Sequence, residues 1–123
     1  MKRTNIHVTE DCRAVSAVLA RIGDKWSVLI VSCLGAGPKR FNELKREIGG
    51  ISQRMLTLTL RGLERDGLVT RTVFASVPPR VDYTLTPLGR SLLEPVSSLG
   101  DWARANKDRI AAARAKFDRA AAA

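Results

Sequence analysis

Residues 51–68 carry two patterns at once, one apolar and one basic. At about 100° per residue on a helix, Met55, Leu56, Thr59, Leu60 and Leu63 gather on one side, while Arg54, Thr57, Leu58, Arg61 and Arg65 gather on the opposite side. Ser52 suits an N-cap, because its hydroxyl can accept a hydrogen bond from one of the first free backbone N–H groups. Gly67 stands where a left-handed residue would end the helix. The spacing predicts a helix over 52–66 of about four turns. Taken alone, such a segment reads equally well as an amphipathic helix with a solvated basic face, so the flanking sequence has to decide.

Upstream, Val15, Val18, Leu19 and Ile22 repeat at helical spacing and predict a short amphipathic helix that stops at Gly23. Asp24 can cap a second helix, in which Trp26, Leu29, Ile30, Cys33 and Leu34 form the main stripe and Val28 and Val31 lie on the other side. Apolar nearly all round, it is the expected central core helix, with Trp26 in the core and Gly35, Gly37 and Pro38 closing it. Phe41, Leu44 and Ile48 mark a third helix with Asn42, Lys45 and Arg46 outward, and Gly49 and Gly50 turn the chain into Ser52. Two helices joined by a glycine turn make a helix-turn-helix.

Downstream the period changes to two. Residues 68–74 are rich in β-branched side chains, 75–79 form a turn with Pro78 and Pro79, and 80–85 alternate as a returning strand. A hairpin in that place is a wing. Thr86 and Pro87 supply an N-cap and a first helical residue, and Leu88, Leu92, Val96, Leu99, Trp102, Ala103 and Ile110 continue at helical spacing, with Pro95 expected to kink or split the helix. From Ala111 the chain is mostly Ala, Arg and Lys, with Phe117 the one large apolar residue, which reads as a solvated helical extension or a frayed end. The expected fold class is mainly α (α+β): a winged helix-turn-helix with a two-stranded wing and N- and C-terminal dimerisation helices. The domain spans 12–110, with an N-terminal arm over 1–11 and an Ala/Arg-rich tail over 111–123.

A chain of 123 residues fits one domain and is short for a core plus a large catalytic cleft. Its 21 Lys and Arg against 12 Asp and Glu give a formal charge of +9, which favours a polyanionic partner through phosphate neutralisation. The basic residues are spread through periodic segments rather than set beside an apolar run able to span a bilayer, so no membrane is expected. The start lacks a secretory h-region, and two cysteines do not make a disulfide framework, so cytoplasmic localisation with reduced thiols is expected. Catalysis is not expected either. The single histidine, His7, lies near the N-terminus, there is no glycine-rich phosphate loop, and His7, Cys12 and Cys33 have no zinc-like spacing. No catalytic residue, metal or cofactor is assigned.

In order along the chain, Cys12 ahead of the first helix, residues 22–30 (IGDKWSVLI), 40–44 (RFNEL), 50–57 (GISQRMLT), 63–69 (LERDGLV) and 78–86 (PPRVDYTLT) resemble the HxlR-type winged-helix transcriptional regulators, relatives of the MarR group. The resemblance covers most of the chain. It implies a homodimer of winged helix-turn-helix subunits on a pseudo-palindromic operator.

In a major groove, Arg can contact guanine and Gln adenine, each with two hydrogen bonds, and Ser52, Gln53, Arg54, Thr57 and Arg61 are the side chains best placed to reach. Arg65 points to phosphate or solvent. Leu58 departs from the polar residue commoner in similar proteins and reads equally as a thymine-methyl contact or as a tolerated surface leucine. Lys39, Arg40 and Lys45 are natural phosphate partners. Arg80, behind the stiff Pro78-Pro79 tip, can enter a narrow minor groove or clamp a phosphate, and Arg80→Ala should weaken all DNA about equally. The rival reading is a winged-helix module used for protein contacts or for nonspecific nucleic-acid binding.

Val15, Val18 and Leu19, with Leu92, Val96, Leu99 and Trp102, offer more apolar surface than so small a domain needs internally and are the expected dimer interface. Cys33 reads as inert packing. In proteins this chain resembles, a cysteine at the place of Cys12 can sense oxidants or electrophiles, although the proline that frequently follows is Arg13 here. Cys12 reads either as such a sensor or, the favoured reading, as a bystander thiol; a small-molecule or oxidant effector stays open, although no residue set announces a pocket.

Overall fold

Side chains of Asp24, Ser52 and Thr86 cap three of the helices and glycines turn the chain between helices, in a computed structural model that describes residues 10–122. Helix α1 (Glu10–Ile22) closes where the Gly23 N–H donates to the Leu19 carbonyl at 2.7 Å. Asp24 then accepts from the Ser27 N–H at 3.2 Å and starts α2 (Lys25–Leu34). A two-residue strand, β1 (Lys39–Arg40), leads into α3 (Phe41–Ile48). Gly49 and Gly50, at φ of 69° and 70°, turn the chain into α4 (Gln53–Arg65) through angles that cost a Cβ-bearing residue far more. The hairpin of β2 (Val69–Phe74) and β3 (Arg80–Leu85) follows, then α5 (Pro87–Arg90) and α6 (Leu93–Ala122).

The core aims α4. Ile30, Val31 and Leu34 of α2, Leu44 of α3, and Leu56, Leu60 and Leu63 of α4 are at most 1% exposed, and Val69 and Leu85 at the hairpin root close the same cluster. Each such burial contributes about 1.5–3 kcal/mol. Because α2, α3 and the hairpin root all grip the inner face of α4, its outer face is held in one orientation.

The structure is mostly helical, as expected, and corrects four details. The buried seam of α2 is Ser27, Ile30, Val31 and Leu34, whereas Leu29 faces outward and Trp26 and Cys33 lie half-buried at the margin. A helix apolar nearly all round carries little information about which face turns inward. The sheet has a third strand, in the order β1-β3-β2, with Lys39 opposite Tyr83 and Arg40 opposite Asp82; two residues are too few to show a period.

The break near Pro95 falls ahead of it, between Arg90 and Leu93. Pro95 thus sits in the first turn of α6, where its missing N–H leaves no bond unmade, and the Val96 N–H reaches Leu92 at 3.1 Å. Finally, Cys12 lies inside α1 rather than ahead of it. Of the expected arm, residues 1–9, His7 among them, lie outside the described residues, and Glu10 and Asp11 begin α1. α6 runs through residue 111 without a break to Ala122, exposed all along its last turns.

Candidate nucleic-acid interface

The Ser52 hydroxyl accepts from the Met55 N–H at 3.0 Å and so sets where α4 begins. One turn on, Thr59 donates its hydroxyl to the Met55 carbonyl at 2.7 Å, which lets a polar side chain sit in the buried face beside Leu56, Leu60 and Leu63. Measured around the helix from the centre of that face, Arg54, Leu58, Arg61 and Arg65 point most directly away from the core, forming a crest. Gln53, Thr57 and Glu64 lie on the flank toward the hairpin, all exposed. Met55, grouped above with the apolar set, is 41% exposed because it lies about a quarter-turn from the centre of the buried face.

The cations nearest the helix-turn-helix differ in how free they are. Lys39 is committed: its Nζ lies 2.9 Å from Glu47 Oε2, and that hydrogen-bonded pair holds its pKa above the ordinary lysine value. Arg40 is exposed and occupies the N-cap of α3, where its backbone N–H donates to Glu43 Oε1 at 2.8 Å. That bond holds the Glu43 carboxyl below its ordinary pKa. Lys45 is half-buried, while Arg46, which sequence reasoning left as an outward position only, is exposed and lines a cleft of about 770 Å³ between α3 and the wing with Arg40 and Arg80.

Arg80 is tethered. Its guanidinium stacks over the Phe74 ring at 4.2 Å, and its Nε lies 3.3 Å from Asp82 Oδ1. The two atoms are buried and close but out of hydrogen-bond alignment, so the contact is an ion pair and not a hydrogen bond. The stacking partner follows from register, since Phe74 and Arg80 face each other across the hairpin.

Away from this surface, Val15, Val18 and Leu19 of α1 and Leu99 and Trp102 of α6 are about half exposed or more. Val96 is half-buried, and Leu92 packs against the core of its own chain. α1 has no buried residue, yet Arg21 at its end lies over Gly62 of α4 and pairs with Asp66 at 2.8 Å. Cys12 is half-buried on α1. Burial, and then the nearby Glu47, push the Cys33 thiol above its ordinary pKa, as suits a packing residue. Among the described residues no three His, Cys, Asp or Glu side chains gather to hold a metal ion, and no helix is long and apolar enough to cross a membrane.

Two helices joined by a glycine turn, the second capped, amphipathic and followed by an antiparallel hairpin, define a winged helix-turn-helix protein. The chain belongs to the HxlR-like helix-turn-helix family, whose profile matches residues 21–111. It is 43% identical over 97 residues to YtfH of Escherichia coli K12, an uncharacterised HTH-type transcriptional regulator, covering 79% of this chain and 77% of that one. Among solved structures it is similar to the redox regulator HypR in its reduced form, at 43% identity and a TM-score of 0.75, covering 80% of this chain and 98% of that one. It is also similar to the reduced form of the transcriptional regulator YodB of Bacillus subtilis, at 37% identity and a TM-score of 0.67, covering 75% of this chain and 90% of that one. The chain is thus a transcriptional regulator of helix-turn-helix type.

Proposed function

We propose that the chain acts in the cytoplasm as a homodimer that binds a pseudo-palindromic operator in double-stranded DNA, inserting the crest of α4 into the major groove. The observation that carries this reading is the division of α4: one face is locked into the core, and the other presents Gln53, Arg54, Thr57, Leu58 and Arg61, all exposed, to solvent. Ser52 joins them at the positive end of the helix. Arg40 at the N-cap of α3, Lys45 on α3 and Arg80 on the wing flank the crest as phosphate contacts, and Lys39 joins them only where a phosphate displaces Glu47. One short helix reads only a few base pairs, and two-fold pairing supplies two half-sites about one turn apart. Val15, Val18, Leu19, Val96, Leu99 and Trp102, with Leu92 at their inner edge, would make that pairing.

Footprinting on the DNA flanking the gene tests the reading: two protected half-sites about one helical turn apart are expected. Uniform weak protection that rises with protein concentration would leave only a nonspecific binder. Light scattering at micromolar concentration should give twice the chain mass, and a single-chain mass would remove the dimer.

Redox modulation at Cys12 is favoured by two similar proteins, one called a redox regulator and the other also solved after diamide treatment. Diamide should alter operator affinity of the wild type and leave Cys12→Ser unchanged. Unchanged affinity with Cys12 shown to be modified rules the modulation out.

A further inference from the structure

Side chains alternate along a strand, so positions 69, 71 and 73 of β2 share one face of the hairpin, and Val69 on that face is buried in the core. The period calls for an apolar residue at 71, and the chain places Arg71 there, directly opposite Tyr83. Arg71 reaches the gap between the hairpin and α4, where with Phe41, Thr57, Arg61, Glu64 and Tyr83 it lines a cleft of about 590 Å³. Arg61 on the helix wall and Arg71 on the hairpin wall are both exposed, and among the described residues neither side chain makes an ion pair or a hydrogen bond. The other wing arginine, Arg80, is already held by Phe74 and Asp82. Two unneutralised arginines thus share a cleft whose lining holds one carboxylate, that of Glu64.

We propose that this cleft seats one sugar–phosphate strand of the duplex, with Arg61 and Arg71 gripping its phosphates from opposite walls. The inference rests on the reading of α4 as the DNA-facing helix. A strand running along the flank of α4 passes Gln53 and Thr57 before it meets the hairpin, and those neutral side chains can donate to phosphate oxygens without adding charge. The grip is independent of base sequence. It fixes how far α4 enters the groove, so Arg61 serves to place Arg54 and Leu58, the crest residues left to read bases, and reads no base itself.

The competing account is that Arg71 protects an edge. β2 is the outer strand of the sheet, and an inward-facing charge on an edge strand discourages pairing with another chain. Anisotropy titrations of a labelled random-sequence duplex of about 25 base pairs across a range of salt separate the two accounts. Arg71→Gln, which keeps the position polar, should lower the slope of log affinity against log salt by about one and weaken binding roughly tenfold at 0.1 M salt. Arg61→Gln should do the same, Arg71→Lys should keep the slope, and the double Gln variant should lose about two units. An Arg71→Gln protein that self-associates while keeping the wild-type slope, or one that is simply unchanged, overturns the proposal. Arg54→Ala, assayed on the footprinted DNA, tells the two failures apart. If it weakens binding and Arg71→Gln does not, only the strand seat is lost; if it too is silent, the reading of α4 fails with it.

Discussion

Two glycines predict very unequal responses to the same substitution. A Cβ on Gly89 would land on the Leu68 carbonyl oxygen, 3.0 Å from its carbon and 3.1 Å from Leu85 Cδ2. That carbonyl cannot easily retreat. It accepts the Thr86 N–H at 3.1 Å, while the Thr86 hydroxyl donates to Gly67 O at 2.6 Å and accepts from the Gly89 N–H at 3.0 Å. Overpacking against backbone costs about 1–3 kcal/mol, and one weakened hydrogen bond adds about 1 kcal/mol. Gly89→Ala should therefore cost about 2–4 kcal/mol and lower the melting temperature by roughly 8–16 °C.

The three atoms nearest a Cβ on Gly62 all belong to the Arg21 guanidinium, the far end of a flexible side chain. Gly62→Ala loses at most an exposed Arg21–Asp66 pair, worth about 0–1 kcal/mol, and gains about 0.8–1.0 kcal/mol of helix propensity. The net effect should lie within about 1 kcal/mol of zero. Thermal unfolding followed by circular dichroism, at one fixed protein concentration so that any association is held constant, reads both. A Gly89→Ala protein that melts with the wild type, or a Gly62→Ala protein that falls as far as Gly89→Ala, would refute the reasoning.

Three further outcomes follow from the site. The folded pKa of Glu43 lies below its unfolded value because its carboxylate accepts the Arg40 N–H, so the stability it contributes is complete above about pH 4.3 and is lost as pH falls through the lower folded value. Glu43→Gln should flatten that part of the acid limb in urea titrations at a series of pH values, and an unchanged limb would mean the bond is not made. Ser52→Ala removes the acceptor that starts α4 and should cost about 1 kcal/mol in the urea midpoint without changing the salt slope on DNA. Asp82→Asn removes the carboxylate beside Arg80 and should steepen the salt slope on random DNA, whereas a shallower slope would mean that Asp82 is needed to aim Arg80.

The helix-turn-helix and wing were legible because their signals are local: Ser52 and Gly67 bound α4, Gly49 and Gly50 make the turn, and the period drops to two at residue 69. Features set by packing were not. The buried seam of α2 could not be chosen from a helix apolar all round, and β1 exists only because β3 passes beside it. Likewise the engagement of Arg80 needs the hairpin register that brings Phe74 opposite, and the pairing of Lys39 needs Glu47 one helix away. Arg71 is a different case. Its place on the apolar face of β2 is visible as a break in the alternation Val69, Arg71, Val73, and only the cleft beside Arg61 gives that break a meaning.

Val18, Leu19, Leu99 and Trp102 are exposed, whereas Leu92, expected beside them, packs against the core of its own chain. Such surface on α1 and α6 fits the pairing of two copies proposed above.

The central claim, that the crest of α4 reads base sequence, is tested most directly by selecting duplexes from a random pool with the wild type and with Arg54→Ala. The account predicts that the wild type enriches a pseudo-palindrome with half-sites about one turn apart, and that Arg54→Ala relaxes one position in each half-site at a cost of about 1–3 kcal/mol. A pool that shows no enrichment, or an Arg54→Ala protein that selects the same sequences with the same stringency, would contradict it.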